Sequence, residues 1–373
     1  MELKSIFISN GIGVALLIVL AYVSRTRAQR KRAEDRLFLM MVFGVMVGCI
    51  MEAASYVLDG RTFPCARLLN YLANTYLFTI NMLLPLCVLI YMDLSLYGDP
   101  SRIMKKYKFQ MIVGALMILV NIVNFFVPIS YYISPENVYE RRPFIYAYYV
   151  VIIFYIASSM FLTHRYERVH GTRSFFSIEM FLVPILVGTT IQFLFYGLSL
   201  AWLSSAVGLV GLYMMQQNEA AYIDPLTEVY NRQYLNHTFN YWRSKGYSFS
   251  GIMIDLDRFK QINDTYGHSE GDKALVATSR MLKSLCGDGS LAFRFAGDEF
   301  VLLIRTDEKE ELEAKAAALE DALKEVNNRI GRPYKIRLSY GFATLDPDAA
   351  DLDTFMKTMD ANMYEMKRKH HEK

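Results

Sequence analysis

Long apolar runs dominate the chain up to about residue 216 and then stop. They fall at about 5–24, 37–58, 72–96, 109–129, 144–163, 175–197 and 198–215. A helix needs about 20 residues to cross a bilayer, so the pattern predicts about seven spans. Ser199 and its neighbours are all that part the last two. Beyond residue 216 the apolar runs shorten and alternate with helix-period stretches. Helices are expected over about 228–244, 259–266, 271–286, 309–330 and 351–369, and strands over about 248–255, 291–295, 299–305 and 335–344. Such interleaving predicts an α/β sandwich on a mostly antiparallel sheet. The chain thus reads as an α-helical membrane bundle over 1–215, a helical linker over 216–223 and an α/β domain over 224–373.

Composition agrees. Of 373 residues 53% are hydrophobic, and mean hydropathy is +0.18, too apolar for an ordinary soluble protein. Net charge is only +3, so no nucleic-acid partner is expected. Cys49, Cys65, Cys87 and Cys286 show no C-x-x-C spacing, which argues against a disulfide framework or zinc site. The first apolar run lacks an A-x-A-like cleavage site and reads as an anchor. Basic residues crowd the first, third and fifth loops: Arg25, Arg27, Arg30, Lys31, Arg32 and Arg36, then Arg102, Lys105, Lys106 and Lys108, then Arg165, Arg168 and Arg173. The even loops carry mainly Arg61, Arg67, Arg141 and Arg142. The positive-inside rule then places the N-terminus outside and the α/β domain in the cytoplasm of a multi-pass protein of the cytoplasmic membrane.

Glu52 and Asp93 are ionisable within apolar runs, where charge is costly and hints at function. Glu52 is either a ligand-pocket residue or structural. Asp93, near a cytoplasmic end, is expected to reach the interface. Asn81, Asn121, Asn124 and Gln192 are expected to hydrogen-bond between helices, and Pro85 and Pro184 to kink theirs. The outer loops are too short for a sensor domain, so any signal is read by the helices, from lipid or from a partner. The linker has helix-favouring residues and no Gly/Ser/Pro spacer; it is either a rigid transmitter or a tether.

The candidate chemistry sits at strand ends. Leu291 to Ile304 reads as two strands around Gly297-Asp298, with Asp298 and Glu299 at the tip. Gly251 to Ile254 is an apolar strand that ends in Asp255-Leu256-Asp257. One acidic turn alone is as readily a solvated hairpin. Two acidic strand ends together suit a hard divalent cation working on phosphates.

These stretches resemble the GGDEF family of diguanylate cyclases. Asp224 to Arg232 resembles D-x-L-T-x-L-x-N-R. Asp255 to Asp272 matches D-x-D-x-F-K-x-x-N-D-x-x-G-H-x-x-G-D at every specified position, and Arg294 to Phe300 reads R-F-A-G-D-E-F. Leu338 to Gly341 resembles the late S-x-G strand, and Asp360 to Lys367 the closing helix. The resemblance covers less than half of the chain.

It implies a palm-like βαββαβ core and a membrane-bound diguanylate cyclase that condenses two GTP into cyclic di-GMP and two pyrophosphates. Asp255, the Leu256 carbonyl, Asp298 and Glu299 would hold metal: two Mg2+ per site, with Mn2+ an alternative. Asp298 and Glu299 would be catalytic, their division of labour left open. Asn263 and Asp272 would read guanine, whose N1–H and N2–H a carboxylate accepts. Lys260, Lys367 and the backbone N–H groups of Phe259 and Lys260 would meet phosphate. Asp257 either orients the site or is structural. Each domain holds half of the reaction, so a homodimer in the bilayer is expected; downstream cyclic di-GMP receptors are not expected as direct partners.

Three departures stand out. Ala296 replaces the signature's first glycine, a change expected to preserve activity. Gly287-Asp288-Gly289-Ser290 lacks the R-x-x-D of the product-inhibition site, so no inhibitory site is expected. Lys369-His370-His371 replaces the usual glycine and basic residue after the closing lysine, which implies a weaker or altered phosphate clamp. The alternative reading is a catalytically silent GTP-binding receptor. A transporter with an appended regulatory domain would want internal repeats, and none is evident.

Overall fold

The computed structural model describes residues 3–27, 33–170, 178–195, 198–287, 289–328, 333–345 and 351–371. Arg30, Lys31, Arg32, Arg173 and Asp288, invoked above, lie outside the described residues, as do the side chains of Lys369, His370 and His371. The chain forms two compact units, Met1–His164 with Ser174–Gln216, and Arg165–Arg173 with Gln217–Lys373.

Up to residue 221 the elements are α1 (Leu3–Arg27), α2 (Ala33–Leu58), α3 (Ala66–Tyr97), α4 (Pro100–Lys106), α5 (Lys108–Asn124), β1 (Tyr131–Ile133), β2 (Tyr139–Arg141), α6 (Ile145–His170), α7 (Glu179–Leu194) and α8 (Ala201–Ala221). Among the described residues four helices are individually long and apolar enough to cross a membrane: α1, α2, α3 and α6. Helices α4 and α5, meeting at a 71° bend, make a fifth if counted as one span. About seven were expected from the apolar runs. α7 has 16 residues and rises only about 24 Å at 1.5 Å per residue, short of a hydrocarbon core of about 30 Å. The last turn of α8 is polar, from Gln216 on. The unit's core gathers Phe38, Val42, Val45, Tyr91, Trp202 and Leu209, while Phe7, Ile8, Met40, Leu72 and Phe161 are exposed. Apolar inside and apolar outside is the composition of helices that face lipid.

Several polar side chains inside this unit are partnered. Asp93 is fully buried and accepts hydrogen bonds from Arg102 Nε (3.1 Å), Lys106 Nζ (3.0 Å) and Tyr107 Oη (2.7 Å). It is therefore covered by α4 rather than reaching outward as expected. Asn121 bridges helices, donating to Thr79 Oγ1 and accepting from Tyr148 Oη. Asn124 instead caps the following loop through the N–H groups of Ile129 and Ser130. Gln192 accepts from the N–H groups of Leu200 and Ala201 ahead of α8, and Asn81 is exposed. Pro85 and Pro184 lie inside α3 and α7. The β1–β2 ladder escapes sequence detection because each strand has three residues.

The second unit continues with β3 (Tyr230–Asn231), α9 (Arg232–Ser244), β4 (Ser250–Leu256), α10 (Phe259–Tyr266), α11 (His268–Leu285), β5 (Ser290–Ala296), β6 (Glu299–Ile304), α12 (Lys309–Asn328), β7 (Leu338–Thr344) and α13 (Leu352–His371). The sheet order is β3-β5-β6-β4-β7, with β3 parallel to β5 and every other pair antiparallel. The first helix, expected from 228, starts at Arg232 because the preceding residues form a turn. Asp224 N–H donates to the Val229 carbonyl (2.8 Å), Glu228 takes φ 57°, and Asn231 caps the helix by accepting from Tyr234 N–H (3.1 Å).

Every residue of β4 is buried, which requires cover on both sheet faces. Strand alternation puts Ile252, Ile254 and Leu256 on one face. They join a core with Leu275 and Leu282 of α11 and Leu312 and Leu319 of α12. Gly251, Met253 and Asp255 take the other face, towards α13. Close approach there depends on two glycines. A Cβ on Gly341 would lie 2.2 Å from Met363 N and 2.4 Å from Met359 O, and one on Gly251 would lie 2.6 Å from Met359 Sδ. Backbone atoms cannot yield as a side chain does, so α13 packs against bare sheet at Gly341. Gly341→Ala is expected to destabilise the second unit by about 1–3 kcal/mol. Thermal unfolding of the full chain followed through buried Trp242, in a Trp202→Phe background, measures it.

Candidate functional site

The pairing register of β4 builds the site. Asp255 lies opposite Glu299 of β6 on one side and opposite Ser339 of β7 on the other. Directly paired residues share a face, with Cβ atoms about 4.5–5.5 Å apart. Two acids therefore stand side by side on the α13 face. Lys367, near the end of α13, places Nζ 2.7 Å from Asp255 Oδ1. Leu256 N–H donates to the Asp298 carbonyl (3.3 Å), tying the end of β4 to the acidic turn. Asp257, just past the end of β4, is held by Ser339 Oγ at 2.7 Å and is mostly buried.

Crowding of negative charge shows in the titration of the group. Burial raises the Asp255 carboxyl above its usual range, against the pull of Lys367, and Asp298 and Asp257 add to the rise. Burial likewise raises Glu299, and Asp255, Asp298 and Asp360 push it further. Burial lowers Lys367, but the hydrogen bond and charge of Asp255 outweigh it and hold the ammonium above its usual value. Acids this close favour a cation between them.

The acidic turn is braced from below. Arg294 Nε and Nη2 donate to the Gly297 carbonyl at 3.0 and 2.8 Å, while Nη1 reaches Asp224 Oδ1 at 3.0 Å. Asp224 also accepts from Thr227 N–H and Oγ1. Burial raises its pKa, but these Thr227 bonds and Arg294 outweigh that and hold it below the usual range. The positive φ falls on Gly297, at 30°, and not on Ala296. Ala296 therefore fits the first-glycine position without backbone strain. Sequence reasoning gave no role to Arg294 or Asp224. Both lie within recognised motifs, but 70 residues apart, and nothing local couples them.

The other candidates sit where β4 leaves the sheet. Arg258 takes φ 56°, turning the chain sharply into α10, so that Phe259 and Lys260 occupy its first turn with N–H groups that the helix leaves unpaired. Lys260 is exposed. Asn263 is brought to the start of α11: a Cβ on Gly271 would lie 1.9 Å from Asn263 Oδ1. Gly271 thus makes room for the Asn263 side chain, and exposed Asp272 follows directly. The structure thus gathers Asp255, Leu256, Asp298, Glu299 and Lys367 at one end of the sheet, and Asn263 and Asp272 at the α10–α11 junction. Among the described residues no three His, Cys, Asp or Glu side chains are already arranged around an ion, and Lys367 is bonded to Asp255. The donor set, carboxylates with a strand-end carbonyl, nevertheless has the chemistry Mg2+ requires.

The end of the sheet thus brings together clustered acids, a lysine and a helix N-terminus, groups whose chemistry suits a cation and a phosphate. Residues 221–373 match the model of the family described as Diguanylate cyclase, GGDEF domain, and this part of the chain is a GGDEF domain. Probable diguanylate cyclase DgcC of Escherichia coli (strain K12) is 30% identical over 149 residues, 39% of this chain and 40% of that protein. Diguanylate cyclase DgcM of the same strain is 42% identical over 93 residues, 24% of this chain and 23% of that protein. The chain thus spans well under half the length of these relatives. A crystal structure of the coiled coil and GGDEF domain of DgcB from Caulobacter crescentus in complex with c-di-GMP aligns at 25% identity and a TM-score of 0.39. The alignment covers 44% of this chain and 90% of that one.

Raised acids make a pH-dependent stability contribution of defined sign. Because folding raises the Glu299 pKa, its protonated form favours the fold, and that contribution is lost as pH rises through the folded-state value. Glu299→Gln is therefore expected to stabilise the second unit at pH about 7, with the gain vanishing below the ordinary glutamate pKa of about 4.3. Unfolding midpoints of the two proteins across pH, with chelator present, check both sign and window.

Proposed function

We propose that the protein is a membrane-bound diguanylate cyclase that condenses two GTP into cyclic di-GMP with release of two pyrophosphates. The observation that carries this reading is the β4–β6 register, which pairs Asp255 of one motif with Glu299 of the other and ties Leu256 to Asp298. The GGDEF domain and its diguanylate cyclase relatives support it.

Asp255, the Leu256 carbonyl, Asp298 and Glu299 would hold Mg2+. Bound there, it would neutralise triphosphate charge and ease ionisation of the attacking 3′-hydroxyl. The protein's own groups do the rest. Lys367, paired with Asp255 in the ligand-free site, offers its ammonium to phosphate when substrate and ion arrive. The first turn of α10 offers N–H donors and Lys260. Asn263 and Asp272 accept from guanine N1–H and N2–H, and adenine, with an acceptor at N1, is disfavoured. Each domain positions one GTP, so the reaction needs two domains face to face, and the working unit is a homodimer.

In this reading the domain lies in the cytoplasm, where GTP is available, and the N-terminus lies outside. That placement needs an odd number of spans, met by five (α1, α2, α3, the α4–α5 pair and α6) or by about seven if the shorter α7 and α8 also cross. The membrane unit supplies the input, and unbroken α8 carries it towards residue 221. A silent GTP-binding receptor lacks a supporting observation, since every acid of the site is present.

Incubation of the detergent-purified full chain with labelled GTP and Mg2+, resolving the nucleotides, tests the reading. Wild type is expected to form cyclic di-GMP, and Asp298→Ala to lose about 100-fold or more. GTP binding without turnover, in wild type and in a forced dimer of the same chain, would overturn it.

A further inference from the structure

Just ahead of β7 the chain is held firmly although it belongs to no strand. Asn327 of α12 brackets Ile336: Nδ2 donates to the Ile336 carbonyl and Oδ1 accepts from the Ile336 N–H, both at 2.8 Å. Asp257 N–H donates to the Arg337 carbonyl at 2.9 Å. Ile336 and Leu338 are buried in the core shared with α11 and α12. Alternate residues of an extended chain take opposite faces. Arg337, between these two, therefore belongs to the face that carries α13.

That face is the acidic one. The register sets Ser339 opposite Asp255 and Leu338 opposite Leu256, and the bond from Asp257 to Arg337 continues the ladder one residue further. Arg337 is thus the diagonal neighbour of Asp255, a relation in which Cα atoms lie about 7–8 Å apart and long side chains still meet. Arg337 is exposed, and among the described residues no hydrogen bond or ion pair engages its guanidinium. Lys367 differs in this respect. Its ammonium is bonded to Asp255 at 2.7 Å, so turning it to another anion breaks a pair. A triphosphate carries several negative charges, and a guanidinium meets phosphate oxygens with two parallel donors.

We propose that Arg337 is a further substrate-binding residue, whose guanidinium takes phosphate oxygens of a nucleotide held at the Asp255–Glu299 site. This rests on the proposed nucleotide chemistry and adds a donor from outside the recognised motifs. The pins at Asn327 and Asp257 fix the backbone from which it reaches, and no existing pair has to break for it to bind.

The test measures binding without turnover. It uses the detergent-purified full chain, Mg2+ and the α,β-methylene analogue of GTP, whose carbon bridge prevents release of pyrophosphate. Guanosine, which has no phosphate, is the reference ligand. Arg337→Ala is expected to weaken binding of the triphosphate about tenfold or more and to leave guanosine binding unchanged. Lys335→Ala, which removes the same charge from an exposed residue two positions earlier, is expected to change triphosphate binding less than about twofold. Equal weakening by Lys335→Ala would show a general field and overturn the contact. Loss of guanosine binding in parallel would show a structural defect and overturn it too. Triphosphate binding unchanged in Arg337→Ala would overturn it while the nucleotide reading stands. A wild type that binds no triphosphate would overturn both.

Discussion

Asp255 and Glu299 face each other across neighbouring strands, and like charges so placed repel. An antiparallel sheet would not choose this arrangement for stability. It persists because both strands are fixed elsewhere, by the apolar face that Ile252, Ile254, Leu302 and Ile304 bury against α11 and α12. The repulsion is met by Lys367, and Lys367 can reach Asp255 only because α13 lies directly on the sheet at Gly341 and Gly251. One like-charge pair thus depends on two glycines and a helix that begins at Leu352.

The acidic turn follows the same logic at its other end. A two-residue connection at Gly297-Asp298 would be free to splay. Arg294 pins it by spending two donors on the Gly297 carbonyl and one on Asp224. Asp224 is itself fixed by Thr227. The first motif after the linker therefore helps set the geometry of the acids, although it contributes no group to the cluster. A bulge between Arg294 and Ala296 lets the strand absorb the turn, and the left-handed residue is Gly297, so a methyl at Ala296 is tolerated.

Much of this was legible from residues alone. The apolar run Gly251–Ile254 and the alternation through Leu291–Phe295 identify strands, and their acidic ends mark the site. What could not be read is register: a one-residue slip would put Asp255 and Glu299 on opposite faces, and only the paired strands decide. The Arg294–Asp224 bond and the Gly271–Asn263 fit are tertiary for the same reason. Helix α9 starts later than composition predicts because Glu228 to Asn231 is helix-compatible, while the Asp224 turn overrides propensity. In the membrane unit the apolar runs give spans readily but not their breaks. The 71° bend at Tyr107 is one such break, and there Asp93 of α3 holds Arg102 and Lys106 of α4.

The two buried acids of that unit show how the same residue type serves opposite ends. Asp93 is surrounded by Arg102, Lys106 and Tyr107, a satisfied cluster that fixes α4 against α3. Among the described residues Glu52 is held by neutral donors, Asn10 and Ser199. A charge with cationic partners is structure, because removing any partner would leave the acid exposed to an apolar medium. Glu52 and Asp93 thus differ in kind, one held by neutral hydrogen-bond donors and the other by cations.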